Sequence, residues 1–179
     1  MQNAGGTITT GVDYPYAITT DGLGDLWVAN NFSTVNVYPA RETNSPFPIK
    51  SFSFTNPVTG VAVHNEWIAF GGNNSTTLEE IANYLSGSDP LFEPLPTSAY
   101  SVAWDAAGNL YCGTIGDALN VLSPAAGTGR QLVALGYFPS GIAVDSARSR
   151  VYVSDANNSQ INVYSTTNGA LLHTIQNLP

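Results

Sequence analysis

The sequence predicts an all-β chain of about four small antiparallel sheets, each with four short strands. Three observations predict it. A strand–turn–strand motif returns four times, and the residues that end its first strand, Asp21, His64, Asp105 and Asp145, are spaced by 43, 41 and 40 positions. A period of about 40–45 residues with four strands per unit is that of a propeller blade. The composition is the second observation. Asn, Thr and Ser supply 17, 17 and 16 residues, with 17 Gly and 11 Pro, which favours turns and strands over helices. The third is alternation. Ile142 with Val144, and Val151 with Val153, share a face of their strands. One such sheet cannot bury both faces, so units must stack.

The four motifs run in order. The first is Tyr16-Ala-Ile-Thr-Thr-Asp21 followed by Asp25-Leu-Trp-Val-Ala-Asn30. The second pairs Thr59-Gly-Val-Ala-Val-His64 with Glu66-Trp-Ile-Ala-Phe-Gly71. The third pairs Tyr100-Ser-Val-Ala-Trp-Asp105 with Asn109-Leu-Tyr-Cys-Gly-Thr114. The fourth pairs Ser140-Gly-Ile-Ala-Val-Asp145 with Arg150-Val-Tyr-Val-Ser-Asp155. Third strands follow at Val35–Tyr38, Leu119–Leu122 and Ile161–Tyr164, and fourth strands at Ile49–Phe54, Leu132–Leu135 and Leu171–Ile175. The chain divides into repeats of approximately 12–54, 55–96, 97–137 and 138–179 within a single domain, 1–179. Residues 6–11 read as a spare outer strand. In the second repeat, Thr76–Leu85 has a helix-like spacing, but the register demands a strand there.

The turns have a mechanism. In Asp105-Ala-Ala-Gly108 the carboxylate bonds its own backbone and the glycine takes positive φ. By the same argument Asp21, Asp105 and Asp145 are turn caps before they are ligands. His64 breaks their series.

Charge excludes several partners. Charged residues are only 10% of the chain and the net charge is −8. One lysine and four arginines cannot neutralise a phosphate backbone or favour an anionic membrane surface. No apolar run is long enough to span a bilayer as a helix. Cys112 is the one cysteine, so no intrachain disulfide forms. It reads as a packed small hydrophobe. Trp27, Trp67 and Trp104 read as blade packing.

The motifs Gly141-Ile-Ala-Val-Asp145, Val151-Tyr-Val-Ser-Asp155 and Ile161-Asn-Val-Tyr164 resemble the NHL and YVTN families of β-propeller repeats. The resemblance extends over nearly the whole chain, Gly6 to Ile175, and speaks to fold, since many activities sit on this scaffold. In such propellers the loops joining second and third strands gather at one mouth of the axial channel. Here those loops offer Asn30, Asn31, Asn73, Asn74, Asp117, Asp155 and Asn157 as candidate ligand-binding residues. The resemblance also implies an alternative. Gluconolactonase-like propellers hold a divalent metal through carboxylate and amide side chains, a role Asp155, Asn30 and Asn73 could mimic. Streptogramin-lyase-like propellers use a His, a nearby Glu and Mg, which His64 with Glu66 could mimic. An oxygen-only donor set suits Ca²⁺ or Mg²⁺ and not Zn²⁺.

The leading expectation is a non-catalytic scaffold, without a cofactor, that binds a protein, a small molecule or a glycan. The competing expectation is a metal-dependent lactonase or a lyase with its site at the channel mouth. Low charge and richness in Asn, Ser and Thr point to an extracellular or periplasmic setting. Four blades fall short of a six- or seven-bladed ring, so self-association or further blades are expected to complete it.

Overall fold

The computed structural model describes residues 7–40, 47–65, 67–72, 79–82, 98–123 and 128–176. Among the described residues fifteen strands form four antiparallel sheets arranged as the blades of a β-propeller. The first blade holds β1 (Pro15–Thr20), β2 (Leu26–Asn30), β3 (Thr34–Tyr38) and β4 (Lys50–Ser53) in chain order. The second holds β5 (Val58–His64), β6 (Trp67–Gly72) and β7 (Glu79–Ala82). The third holds β8 (Ala99–Trp104), β9 (Leu110–Thr114), β10 (Ala118–Ser123) and β11 (Thr128–Ala134). The fourth holds β12 (Pro139–Asp145), β13 (Arg150–Asp155), β14 (Gln160–Ser165) and β15 (Leu171–Ile175). A single 3-10 turn, Ser146–Arg148, joins β12 to β13.

Each sheet is a meander because short turns can join only antiparallel neighbours. The first strand of every blade faces the axis. β1 packs on β5, β5 on β8 and β8 on β12. Among the described residues no contact of comparable extent joins β12 back to β1. Side chains tie the inner strands to one another. Thr59 Oγ1 donates to the Tyr100 carbonyl at 2.8 Å, and Ser101 Oγ donates to the Pro139 carbonyl at 3.1 Å. Trp104 Nε1 reaches the Ala62 carbonyl at 3.2 Å.

Three apolar joints follow from the alternation. Trp27, Ala29, Val35 and Val37 of the first blade meet Val58, Val61, Ile68 and Phe70 of the second. Ala62 and Ala69 meet Val102, Leu110, Cys112 and Leu122 of the third. Tyr111 and Leu119 meet Val151, Val153 and Tyr164 of the fourth, with Tyr137 between. Each fully buried Val or Leu in such a joint contributes roughly 1.5–3 kcal/mol. Close backbone approach is part of the fit. A Cβ on Gly71 would lie 2.7 Å from the Tyr100 carbonyl oxygen, so only glycine lets β6 and β8 draw together there.

Two expectations change. The second blade is shifted by one residue against the sequence alignment. His64 pairs with Trp67 and Ala62 with Ala69, closing a tight hairpin in which Asn65 takes φ 54. Ile68, not Trp67, therefore occupies the place of Leu26, and Trp67 lies 39% exposed. A one-residue slip sends every side chain to the opposite face, and the burial of Ile68 and Phe70 decides the register. The spare strand expected at residues 6–11 is also corrected. Residues 7–9 are irregular, and Thr10 and Gly11 enter a turn. Position 6 lies outside the described residues. Within the helical spacing of 76–85, Glu79–Ala82 form β7, a strand as the repeat register demanded, and the remainder of that stretch lies outside the described residues.

Candidate functional site

The fold creates two mouths. One gathers the starts of the innermost strands and the turns between second and third strands. The other gathers the ends of the innermost strands, where His64, Trp104 and Asp105 sit.

At the first mouth the turns share a conformation. Ser33, Asp117 and Ser159 each take a left-handed φ, at 67, 55 and 49°, immediately before or at the entry to a third strand. Asp117 is therefore a turn-forming residue as well as an exposed carboxylate. Its carbonyl accepts from the Leu135 N–H at 2.8 Å. Asp tolerates this backbone region because its short side chain can bond locally.

Asn30 is fully buried. Its amide donates to the Gly11 carbonyl at 3.1 Å and to Thr34 Oγ1 at 3.0 Å, while its Oδ1 accepts from the Asp13 N–H at 3.1 Å. Asp155 is also buried. It accepts from the Asn158 N–H at 3.1 Å, the Asn158 amide at 2.8 Å and the Gln160 amide at 3.1 Å. Both polar groups staple the chain internally, which explains why they tolerate burial. Asn31 is half-buried, and its N–H donates to the Tyr14 carbonyl at 3.0 Å. Asn157 is exposed on the β13–β14 turn. Asn73 and Asn74 lie outside the described residues. Among the described residues no three His, Cys, Asp or Glu side chains converge.

Among the described residues of this mouth, aromatic side chains are prominent at the surface. Tyr14 and Phe32 are 72% and 60% exposed and meet edge to face at 5.5 Å. Tyr14 takes φ 50, an unusual backbone for a bulky residue. Tyr16 crosses from β1 to stack edge to face on Tyr100 of β8 at 5.8 Å, and their hydroxyls are hydrogen-bonded. Phe138 packs on Tyr100 from the fourth blade at 4.6 Å. Burial and the neighbouring Tyr16 hydroxyl push the Tyr100 phenol well above its ordinary value. The spacing of these rings had no sequence signal, because Tyr14, Tyr16, Phe32, Tyr100 and Phe138 come from turns and strand starts of three blades.

The second mouth opens into an axial groove of about 470 Å³. Its walls carry Ile18, Val61, Val63, Val102 and Ile142, with His64, Trp104 and Asp105 at the rim. His64 is half-buried, its ring 5.9 Å from that of Trp104 and its Nε2 3.0 Å from the Asn65 amide. Glu66 lies outside the described residues. The aspartates of the repeat are turn caps. Asp21 accepts from the Leu23 and Asp25 N–H groups and from Trp27 Nε1. Asp105 accepts from Ala107, Asn109 and the Asn109 amide. Asp145 accepts from the Arg148 N–H and pairs with its guanidinium at 2.8 Å, which holds the Asp145 carboxyl below its usual range.

No protein-family model matches the chain, and no curated protein matches it. Solved structures do, and β-propellers are among them. The chain is similar to the hydrazine synthase of Kuenenia stuttgartiensis, with 12% identity and a TM-score of 0.73 over 96% of this chain and 51% of that one. It is similar to a streptogramin B lyase, with 19% identity and a TM-score of 0.71 over 96% of this chain and 57% of that one. It is similar to the β-propeller domain of Cps50 (Swd1) from Myceliophteria thermophila, with 7% identity and a TM-score of 0.70 over 96% and 58%. The chain is a β-propeller of about four blades. It spans about half the length of these matched structures.

Proposed function

We propose that the chain is an NHL/YVTN-like propeller scaffold that binds a protein or small-molecule ligand through the aromatic mouth. The repeat motifs support the family reading, with Gly141–Asp145 and Val151–Asp155 as its best matches. One observation carries the binding reading. Tyr14, Phe32 and Tyr16 stand exposed around one mouth, braced by Tyr100 and Phe138. Rigid amphipathic rings give large contact area at small entropic cost. Asn157 and Asp117 supply exposed polar groups on the neighbouring turns. Asn30 and Asp155, by contrast, are engaged in internal bonds, and so serve the scaffold. An extracellular or periplasmic setting accords with the low charge and the Asn, Ser and Thr surface.

A second reading rests on His64. It rims the axial groove beside Trp104, and the fold is shared with a streptogramin B lyase. In that reading His64 with Glu66 and a bound Mg²⁺ would act at the opposite mouth. The two readings separate by variant. A thermal-shift screen of peptides and oligosaccharides should return ligands of the wild type that the Tyr14→Ser, Phe32→Ser double variant no longer binds. Ligands retained by that variant but lost in His64→Ala would move the site to the second mouth. Turnover of a cyclic ester with Mg²⁺, lost in His64→Ala, would favour the enzyme.

A further inference from the structure

Tyr14 is fixed in place although its ring stands outside the apolar joints. Its φ of 50 is costly for a bulky residue, and Pro15 after it favours an extended predecessor. Two hydrogen bonds enforce that backbone. The Asp13 N–H donates to Asn30 Oδ1 at 3.1 Å, and the Tyr14 carbonyl accepts from the Asn31 N–H at 3.0 Å. The buried Asn30 thus helps set where the ring stands, yet the ring is 72% exposed. Phe32, 60% exposed, meets it at 90° from the turn that follows β2. Two perpendicular rings make a corner with faces open to solvent. Strain held in a residue that the core does not use points to a functional constraint.

Among the described residues the charge of this mouth has one sign. Asp13 is exposed beside Tyr14, Asp117 is exposed on the turn of the third blade, and Asp155 ends β13 on the fourth. The four described Lys and Arg residues stand toward the other mouth. Arg148 lies in the β12–β13 turn and Arg150 opens β13. Lys50 opens β4 opposite Val37, and Arg130 lies near the start of β11 opposite Val121. Arg41 lies outside the described residues. The face of an aromatic ring is negative, and it adds to the field of the Asp13 carboxylate beside it. The corner therefore attracts cations and repels phosphates and carboxylates.

We infer that the corner of Tyr14 and Phe32 takes the guanidinium of an arginine side chain, presented by a segment of a partner protein, with Asp13 as its carboxylate partner. This inference rests on the binding reading above and gives its ligand a chemistry. Arginine fits for three reasons. Its planar, weakly hydrated cation stacks on an aromatic face, where the strongly hydrated ammonium of lysine gains less. Its fork of donors reaches a carboxylate while its plane lies on a ring. The corner is open, so a free small cation would bury little surface there, whereas a side chain on a peptide brings further contacts with it. Tyr16, 51% exposed and braced on Tyr100, offers those contacts another ring at the same mouth.

Magnetic resonance titration of the 179-residue chain tests it. The probe is a short blocked peptide with one central arginine between glycines and serines. Its control carries citrulline, which keeps the shape and loses the charge. The arginine peptide should shift the Tyr14 and Phe32 ring resonances and bind at least about tenfold more tightly than the citrulline peptide. Tyr14→Leu and Phe32→Leu keep apolar bulk without the ring, and each should weaken arginine binding several-fold. Asp13→Asn should do the same and leave citrulline binding unchanged. All three side chains are exposed, and wild-type circular dichroism confirms that each variant folds. Equal affinity for the two peptides, arginine binding that survives the Tyr14→Leu, Phe32→Leu double variant, or unshifted rings at millimolar peptide would each overturn the inference. The broader reading fails separately. Neutral ligands that bind the wild type and are lost in the Tyr14→Ser, Phe32→Ser variant would keep the mouth as a binding site and sink the arginine inference, whereas a mouth that binds nothing sinks both.

Discussion

The hydroxyl of Tyr38 donates to the carbonyl oxygen of Thr10 across 2.7 Å and fastens the first blade to the segment ahead of it. The adjoining Gly11 carbonyl accepts from Asn30 and Asn36. The segment holds this course because Gly11 takes φ 75. A Cβ there would lie 3.0 Å from Asn36 Nδ2 and 3.2 Å from the Tyr38 hydroxyl. Gly11→Ala is expected to cost roughly 2–3 kcal/mol, from the left-handed backbone plus crowding. Gly136→Ala has a similar φ of 71 but open space around its Cβ, so it should cost only about 1 kcal/mol. Urea unfolding of both variants checks the order. Equal losses would mean that the contact with the first blade is not tight.

Asp155 gives a second prediction, because two roles compete for it. Its buried carboxylate already accepts three hydrogen bonds from the turn that follows. Asp155→Ala strands those donors and should lower stability by about 2–3 kcal/mol. Calorimetric titration with Ca²⁺, run beside thermal melts, separates this from the ligand role. A variant that melts like the wild type but loses a Ca²⁺ heat would make Asp155 a metal ligand.

The sequence carried the blades but not the sites, for a physical reason. Blade packing repeats, so Val151, Val153 and their counterparts Leu110 and Cys112 announce themselves by position. Turn caps repeat too, and Asp105 with Gly108 behaves as its spacing implied. The register of the second blade was lost because its hairpin is shorter than the others, and only burial of Ile68 and Phe70 reveals the slip. Asn30 and Asp155 looked like open mouth ligands because sequence places them at strand ends. Their hydrogen bonds depend on Gly11, Asp13, Asn158 and Gln160, whose reach is set by folding. The aromatic mouth was invisible because Tyr16 and Tyr100 are 84 positions apart and meet only across the axis.

Cys112 tests the second joint. It is fully buried between the second and third blades, beside Ala69 and Leu110. A thiol there behaves as a small hydrophobe and reacts only when the joint opens. Labelling of the native chain is expected to be at least about a hundredfold slower than that of the chain in denaturant. Comparable rates would show that the joint opens readily. Cys112→Ser should destabilise, since a hydroxyl enters an apolar setting.

The alkaline limit of the fold is set by its tyrosines. Burial raises the phenols of Tyr38, Tyr100, Tyr111 and Tyr137 above their ordinary value of 10.0. Asp105 beside Tyr111 and the Tyr164 hydroxyl 3.1 Å from Tyr137 add to the rise, while Asn36 at Tyr38, Thr166 and Arg130 at Tyr111, and Asn162 at Tyr137 offset part of it. In each case the folded chain holds the proton more tightly than the unfolded chain does. The contribution to stability is therefore fully present below about pH 10 and is lost as the pH rises beyond it, because the unfolded phenols ionise first. Acidification does not touch this term. Thermal melts from about pH 8 upward should show a constant midpoint that falls steeply beyond about pH 10. Phenolate absorbance should rise with unfolding and not before it for these four rings. Tyr137→Phe keeps the ring in the third joint and removes one of the four protons. Its alkaline decline should be shallower than that of the wild type, while its neutral stability falls by about 1 kcal/mol for the lost hydroxyl pair. A decline of unchanged steepness in Tyr137→Phe would show that this phenol is not linked to folding.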